Sequence, residues 1–146
     1  MWRQKDYFKL LEVSSNSAYL RSFVEFYQHE IADYFPNYTF NPDPEDLVVF
    51  VLRNMVPAAA LVVHVEGERA RVVLDFVIPG YRDFRAGRFL FEESAGYFQQ
   101  RGITCFVSEP GIPRHESYLK RMGFQLKDGL YRRGLPSQQT LEDKRM

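Results

Sequence analysis

The chain has 146 residues, 45% of them hydrophobic and 16% aromatic, which suits one domain with a real core and argues against disorder as its main state. Nineteen basic residues balance nineteen acidic ones, so no global field calls for nucleic acid or for a basic partner. Cys105 is the single cysteine, which excludes an internal disulfide and points to a reducing compartment.

Met1 to Lys9 alternates charged and aromatic residues without an apolar h-region, so no signal peptide is expected. Tyr7–Val13 reads as a first strand. Ser14, Ser15, Asn16 and Ser17 offer side-chain oxygens to a helix start. Leu20, Phe23, Val24, Tyr27 and Ile31 then recur at helical spacing, predicting one amphipathic helix over 17–33. Tyr34 to Asp46, with Pro36, Pro42 and Pro44, is a loop. Its aromatics Phe35, Tyr38 and Phe40 either pin it to the core or line a substrate cleft. Leu47–Leu52, Ala58–Val65 and Arg71–Ile78 form an antiparallel meander, with turns at Arg53–Met55 and at Glu66-Gly67-Glu68. The longest apolar run, Val56 to Val63, is too short to span a bilayer, so no membrane insertion is expected.

Pro79-Gly80-Tyr81 stops the meander. A second amphipathic helix is expected over 86–101, closed by Gly102, and Ile103–Val107 is a buried strand. Strand, helix and strand in that order imply a right-handed crossover and a parallel pair. A short helix over His115–Met122 ends at Gly123-Phe124, and a hairpin turns at Asp128-Gly129. The expected fold class is α/β (α+β): a mixed, mostly antiparallel central sheet flanked by helices, with a parallel strand pair around the central helix. One domain covers 1–135, and 136–146 is a polar tail expected to fray.

Three residues read as candidate bases, each with a structural alternative. Glu109 ends the fifth strand, where a loop carboxylate is the stronger reading. For His115 the stronger reading is a polar residue at a helix start. Asp75, on an alternating strand, faces solvent or pairs with Arg53 or Arg71. His29, His64 and His115 lack ligand spacing, so no metal site is expected. Cys105 sits in an apolar strand and reads as inert core.

The order of elements, with Val77-Ile78-Pro79-Gly80-Tyr81-Arg82-Asp83-Phe84-Arg85-Ala86-Gly87 and the later Met122-Gly123-Phe124, resembles the GCN5-related N-acetyltransferases (the GNAT superfamily) over roughly residues 47–134. The resemblance implies an acyl-CoA-dependent N-acetyltransferase that takes acetyl-CoA as cosubstrate. Its amine acceptor, small molecule or protein, is not named by any motif. Phe76 and Val77 would offer backbone groups to the pantetheine arm. Arg82, Asp83, Phe84, Arg85, Ala86 and Gly87 would surround the pyrophosphate, whose natural donors are the backbone N–H groups of a helix start.

The chain departs from the family at definite positions. The loop motif is Arg or Gln, two residues, Gly, one residue, then Gly or Ala. Arg82 and Gly87 match its ends, and Arg85 stands at the first glycine. Arg85 can replace a backbone contact with a charge-assisted one, or Arg82, Asp83 and Arg85 form a surface ion-pair set. The general-acid tyrosine falls on Leu119, and the asparagine earlier on that helix falls on Ile112. Tyr118, one step away and turned by about 100° on a helix, is the acid candidate, with Glu109 the second catalytic candidate.

These departures sustain an alternative, a catalytically inactive sensor or interaction domain on the same fold. Arg53-Asn54-Met55-Val56-Pro57 followed by Tyr81-Arg82-Asp83-Phe84 is similar, more loosely, to soluble tails of bacterial inner-membrane proteins. That similarity implies a cytosolic domain tethered to the inner membrane, against a free cytoplasmic protein. A binding domain for another phosphate-bearing ligand, using Arg82 and Arg85, is a third reading. Homodimerisation stays open.

Overall fold

The computed structural model describes residues 5–135; the expected tail lies outside them. Strand β1 (Phe8–Val13) pairs antiparallel with β2 (Leu47–Arg53), β2 with β3 (Val56–Glu66), and β3 with β4 (Arg69–Val77). The β2–β3 turn is tight, with Asn54 and Met55 at φ 52° and 68°. Two left-handed residues in a row give the turn handedness that suits strand twist.

The helix expected over 17–33 is two helices. Ser17 caps α1 (Ala18–Phe26) by accepting the Leu20 N–H at 3.2 Å, which satisfies one orphan donor of the first turn. The chain breaks at Tyr27 (φ −102°, ψ 20°) and resumes as α2 (Gln28–Tyr34). At the break the Tyr27 ring packs on Phe23 and Phe76, with centroids 5.0 and 5.8 Å away. Tyr34, the last residue of α2, arrives beside Arg82, just past the end of β4.

The second expected helix is also interrupted. It comprises α3 (Arg85–Arg88), a π-helical turn (Phe89–Glu93) and α4 (Ala95–Gln99). Ser94 N–H reaches Phe89 O at 2.8 Å. The widened turn lets the adjacent Leu90 and Phe91 both enter the core, each 1% exposed. Then follow β5 (Cys105–Ser108), α5 (Pro113–Arg121), β6 (Gln125–Lys127) and β7 (Leu130–Gly134).

The sheet order is β1-β2-β3-β4-β5-β7-β6, antiparallel except for the β4–β5 pair. Alternation along β2 assigns its two faces. Val48, Phe50 and Leu52 join Leu20, Phe23 and Ile31 under α1 and α2, whereas Val49 and Val51 join Leu90, Phe98 and Leu119 under α3–α5. Phe35, Tyr38 and Phe40 pack against the first of these cores and pin the long loop. No helix among the described residues is long and apolar enough to cross a membrane.

Candidate active site

Strand β4 pairs with β3 as far as Val77, but with β5 only over Arg69, Ala70 and Arg71. A register shift between Val62 and Val63 leaves Val73 as an extra residue in β4, and a bulge of this kind bends its strand. Beyond Arg71 the two parallel strands part, and a cleft of about 490 Å³ opens there. Asp75, Phe76 and Val77 line it from β4. Tyr81, Arg82 and Phe84 line it from the following loop, and Ala86 and Gly87 from α3. Tyr34 of α2 and one face of α5 (Arg114, His115, Ser117, Tyr118 and Arg121) close the rest.

Asp75 is only 5% exposed, and neither carboxylate oxygen has a hydrogen-bond partner. The partners expected from the sequence are engaged elsewhere: Arg53 with Asp6 and Asp83, Arg71 with Glu66. Asp75 is therefore neither solvated nor paired. Removal from water penalises the ionised form, and burial pushes its pKa up to about 7.

Tyr118 carries another unpartnered buried group, its hydroxyl; the remaining one among the described residues, the Gln99 amide of α4, does not line the cleft. Burial, and then the Asp75 charge, hold the phenol well above its ordinary pKa. Starting α5 at Pro113 sends Leu119 into the core with no exposed surface and turns Tyr118 toward the cleft. One helical step separates the two roles. The Tyr118 ring stacks with Phe84 at 6.4 Å and with His115 at 6.3 Å. Phe84 takes a left-handed φ of 67°, uncommon for a bulky residue and worth explaining at a site. It places the ring beside Tyr118 and under the Arg121 guanidinium, 4.1 Å from the centroid.

Gly87 has a specific steric reason. A Cβ there would lie 2.5 Å from Met122 Sδ and 2.6 Å from Tyr118 Oη. The space that a glycine leaves is thus filled by side chains of α5 and the residue after it.

Arg82, Phe84, Ala86 and Gly87 line the cleft with Phe76 and Val77, but Asp83 and Arg85 do not. Asp83 accepts two bonds from Arg53 Nη1, at 2.9 and 3.0 Å, and one from the Arg85 backbone N–H at 3.3 Å. The Arg85 guanidinium pairs with Asp6. Asp6, held below the usual carboxylate range first by Asn54 and then by Arg53, links both arginines. The expected surface set of Arg82, Asp83 and Arg85 is thus replaced by a chain of Asp83, Arg53, Asp6 and Arg85. Arg82 stands apart from it: Nε donates to Val77 O at 2.8 Å, and Nη1 to Tyr34 Oη at 3.1 Å.

Glu109 is exposed in the loop after β5 and does not line the cleft. His115 is 4% exposed and packs edge-on against Phe35 at 4.7 Å. Burial lowers its pKa, so the ring is a neutral wall of the cleft. Far from this site, Asp43, Asp46 and His64 gather with their ligand atoms within 4.8 Å of one another, and His64 Nδ1 meets Asp46 at 2.8 Å. Sequence spacing gave no sign of that cluster.

Sequence reasoning did not single out Tyr34, Arg114, Ser117 or Arg121. The last three share a helix face with Tyr118 at offsets of one, three and four residues, a signal available once the helix is started at Pro113. Tyr34 had no such signal, because only the break at Tyr27 brings it to the site.

No family model matches the chain, and no curated protein sequence does. Solved structures match throughout the fold. GCN5 from Tetrahymena superposes with a TM-score of 0.66 at 12% identity, covering 89% of this chain and 96% of its own. The Escherichia coli alanine N-acetyltransferase for a ribosomal protein gives 0.60 at 15% identity, covering 88% and 96%. A candidate N-acetyl transferase from E. coli, solved bound to coenzyme A, gives 0.60 at 14% identity, covering 88% and 98%. At these identities the likeness is one of architecture, and it agrees with the splayed β4–β5 pair: the chain has the fold of the GCN5-related N-acetyltransferases.

Proposed function

We propose that the domain transfers an acyl group, acetyl being the expected one, from an acyl-coenzyme A to an amine in the V between β4 and β5. The observation that carries this is the pair of buried, unpartnered polar groups, Asp75 and Tyr118, in the wall of an open cleft. Buried polar groups are normally satisfied, and two left open at one cleft suit groups that act on a ligand. The coenzyme-bound E. coli structure of the same fold supports the choice of cosubstrate.

The residues divide the proton work. Asp75, with a pKa of about 7, suits a base that takes the proton released as the amine nitrogen bonds to the thioester carbon. Tyr118, held protonated at neutral pH, suits the donor to the sulfur as the C–S bond breaks. Once the products leave, Asp75 releases its proton to water and Tyr118 regains one from it, which closes the cycle. The open edge of β4 at Phe76 and Val77 is the natural place for the pantetheine arm, although Arg82 already occupies Val77 O.

Calorimetric titration of acetyl-CoA, with acetyl transfer measured over an amine panel, tests this reading. The expected result is micromolar binding, about −8 kcal/mol. Asp75→Asn and Tyr118→Phe should keep that binding and lose transfer by about 10²–10⁴-fold. An acetyl-CoA titration without heat or competition sinks the reading. A second reading, a binding domain without turnover, is favoured by the α5 side chains filling the space at Gly87 and by the Asp6 hold on Arg85. It predicts coenzyme binding without transfer, or binding only after Arg85→Gly.

A further inference from the structure

Resting on the acyl-transfer reading, we propose that the end of the cleft at Tyr34 is a subsite for an anionic group on the acceptor, so that the acceptor is an amine that also carries a carboxylate or a phosphate. The Tyr34 ring is flanked by two guanidiniums, those of Arg82 and Arg114, each 4.6 Å from its centroid. Neither faces a carboxylate among the described residues. Among the described residues Arg53, Arg69, Arg71, Arg85, Arg101 and Arg133 each meet an Asp or Glu, whereas Arg21, Arg88, Arg121 and Arg132 do not, and of those four Arg121 alone lines the cleft. The one carboxylate in the cleft lining is the buried Asp75. A positive cleft in a chain of balanced charge concentrates anions locally.

Arg82 is also held ready. Arg82 spends Nε on Val77 O and Nη1 on Tyr34 Oη, which fixes the plane of its fork before any ligand arrives. Preorganised guanidinium groups are the favoured partners of carboxylate and phosphate. Arg114 sits in the first turn of α5 together with Glu116, whose carboxylate accepts from the Tyr131 hydroxyl and does not line the cleft.

The two ends of the cleft differ. Phe84, with Arg121 above it, packs against the core beneath α3–α5. Tyr34 packs against the core beneath α1 and α2. Arg82 and Arg114 sit on the Tyr34 ring and Arg121 on the Phe84 ring, which leaves Arg121 for the coenzyme phosphates. An amine whose anion rests at Tyr34 shares one cleft with Asp75, to which its nitrogen can be directed. Polyamines and lysine-rich peptides meet like charge at that end and are disfavoured.

The test compares matched probes by calorimetry on the full chain, with and without acetyl-CoA: alanine against alaninamide, and phosphoethanolamine against ethanolamine. The expected result is that the member of at least one pair that carries the carboxylate or phosphate binds about tenfold or more tightly than the partner that lacks it. Arg114→Gln should abolish that preference and leave the probe without the anionic group within about twofold. The pair that responds says whether the anion is carboxylate or phosphate. Equal binding within both pairs, no binding by any probe, or a preference that survives Arg114→Gln overturns the subsite. So does an acetyl-CoA affinity that falls as far in Arg114→Gln as the anion preference does, since that assigns the guanidinium to the coenzyme. An anion preference without acetyl-CoA binding would end the acyl-transfer reading and leave the subsite standing. Acetyl-CoA binding with no anion preference would do the reverse.

Discussion

Strand β4 has two unlike sides. Toward β3 it is paired from Arg69 to Val77 and flanked by fully buried residues such as Leu61, Val63 and Leu74. Toward β5 the ladder stops at Arg71, and the residues beyond it meet a cleft that holds an unpaired acid and an unpaired phenol. The paired side obeys the rule that buried polar groups are satisfied, and the open side breaks it. Stability and chemistry thus occupy opposite edges of one strand. A large disturbance of the paired edge should reach the whole fold, whereas changes at the open edge should mainly move ligand binding and pH response.

The largest effect is expected on the paired edge. Leu61 is 1% exposed in the centre of β3. Leu61→Ala should destabilise the domain by about 2–5 kcal/mol through lost burial and the cavity left behind, read as a fall in urea midpoint with an unchanged m-value. A change near zero would mean that the meander is not the stabilising half.

Glycine replacements sharpen the contrast at the open edge. Gly87→Ala must displace Tyr118 Oη and Met122 Sδ, and overpacking of this kind typically costs about 1–3 kcal/mol. Gly96, in α4, has nothing within 4 Å of the Cβ it would gain, so Gly96→Ala should stabilise by roughly 0.5–1 kcal/mol from helix propensity alone. Opposite signs in parallel urea titrations are the expected result. Equal signs would show that Tyr118 yields without cost and is not held against α3.

Asp75 gives a pH-dependent signal. Its folded pKa of about 7 lies above the ordinary 3.8. The stability it contributes is therefore fully present below 3.8 and is lost as pH rises to about 7, because over that window the folded chain holds a proton that the unfolded chain has released. The slope should reach about 1.4 kcal/mol per pH unit at most. Asp75→Asn should flatten it, as urea titrations from pH 4 to pH 8 would show. An unchanged slope in the variant would place the titration elsewhere.

Much of the fold was legible because its signals are local. A continuous β-branched and apolar run marks β2, the Gly67 and Asp128-Gly129 turns announce hairpins, and strand, helix and strand forced the parallel β4–β5 pair. The helix breaks at Tyr27 and at the π-helical turn were not legible, since each lies inside an unbroken apolar period and is decided by packing on the sheet. At the site, a loop follows β4 and α3 starts at Arg85, close to the expected helix start at Ala86, yet the fate of the charges there was not legible. Arg85 finds Asp6 across 79 residues, and no spacing rule reaches that far. Tyr118 and Leu119 differ by one helical step, so choosing between them required the start of α5.

The smallest effect should come from the chain of charges beside the open edge. Arg85 is half-exposed and turned onto Asp6 and the Phe8 ring, away from the cleft lining. Exposed ion pairs gain little because water screens them and ordering long side chains costs entropy. Arg85→Gln should leave the urea midpoint unchanged within error. It should also leave acetyl-CoA affinity within about threefold, because a phosphate contact worth more than that would need the guanidinium to leave Asp6 first. Arg82→Gln removes a side chain that holds both Val77 O and Tyr34, and it should weaken binding of the anion-bearing acceptor probe by about tenfold or more while leaving acetyl-CoA affinity within about threefold. Titrations of the two variants side by side read the difference directly. If Arg85→Gln proves the more damaging, the ion pair with Asp6 opens when the coenzyme binds, and the loop works through the arginine that replaced its glycine.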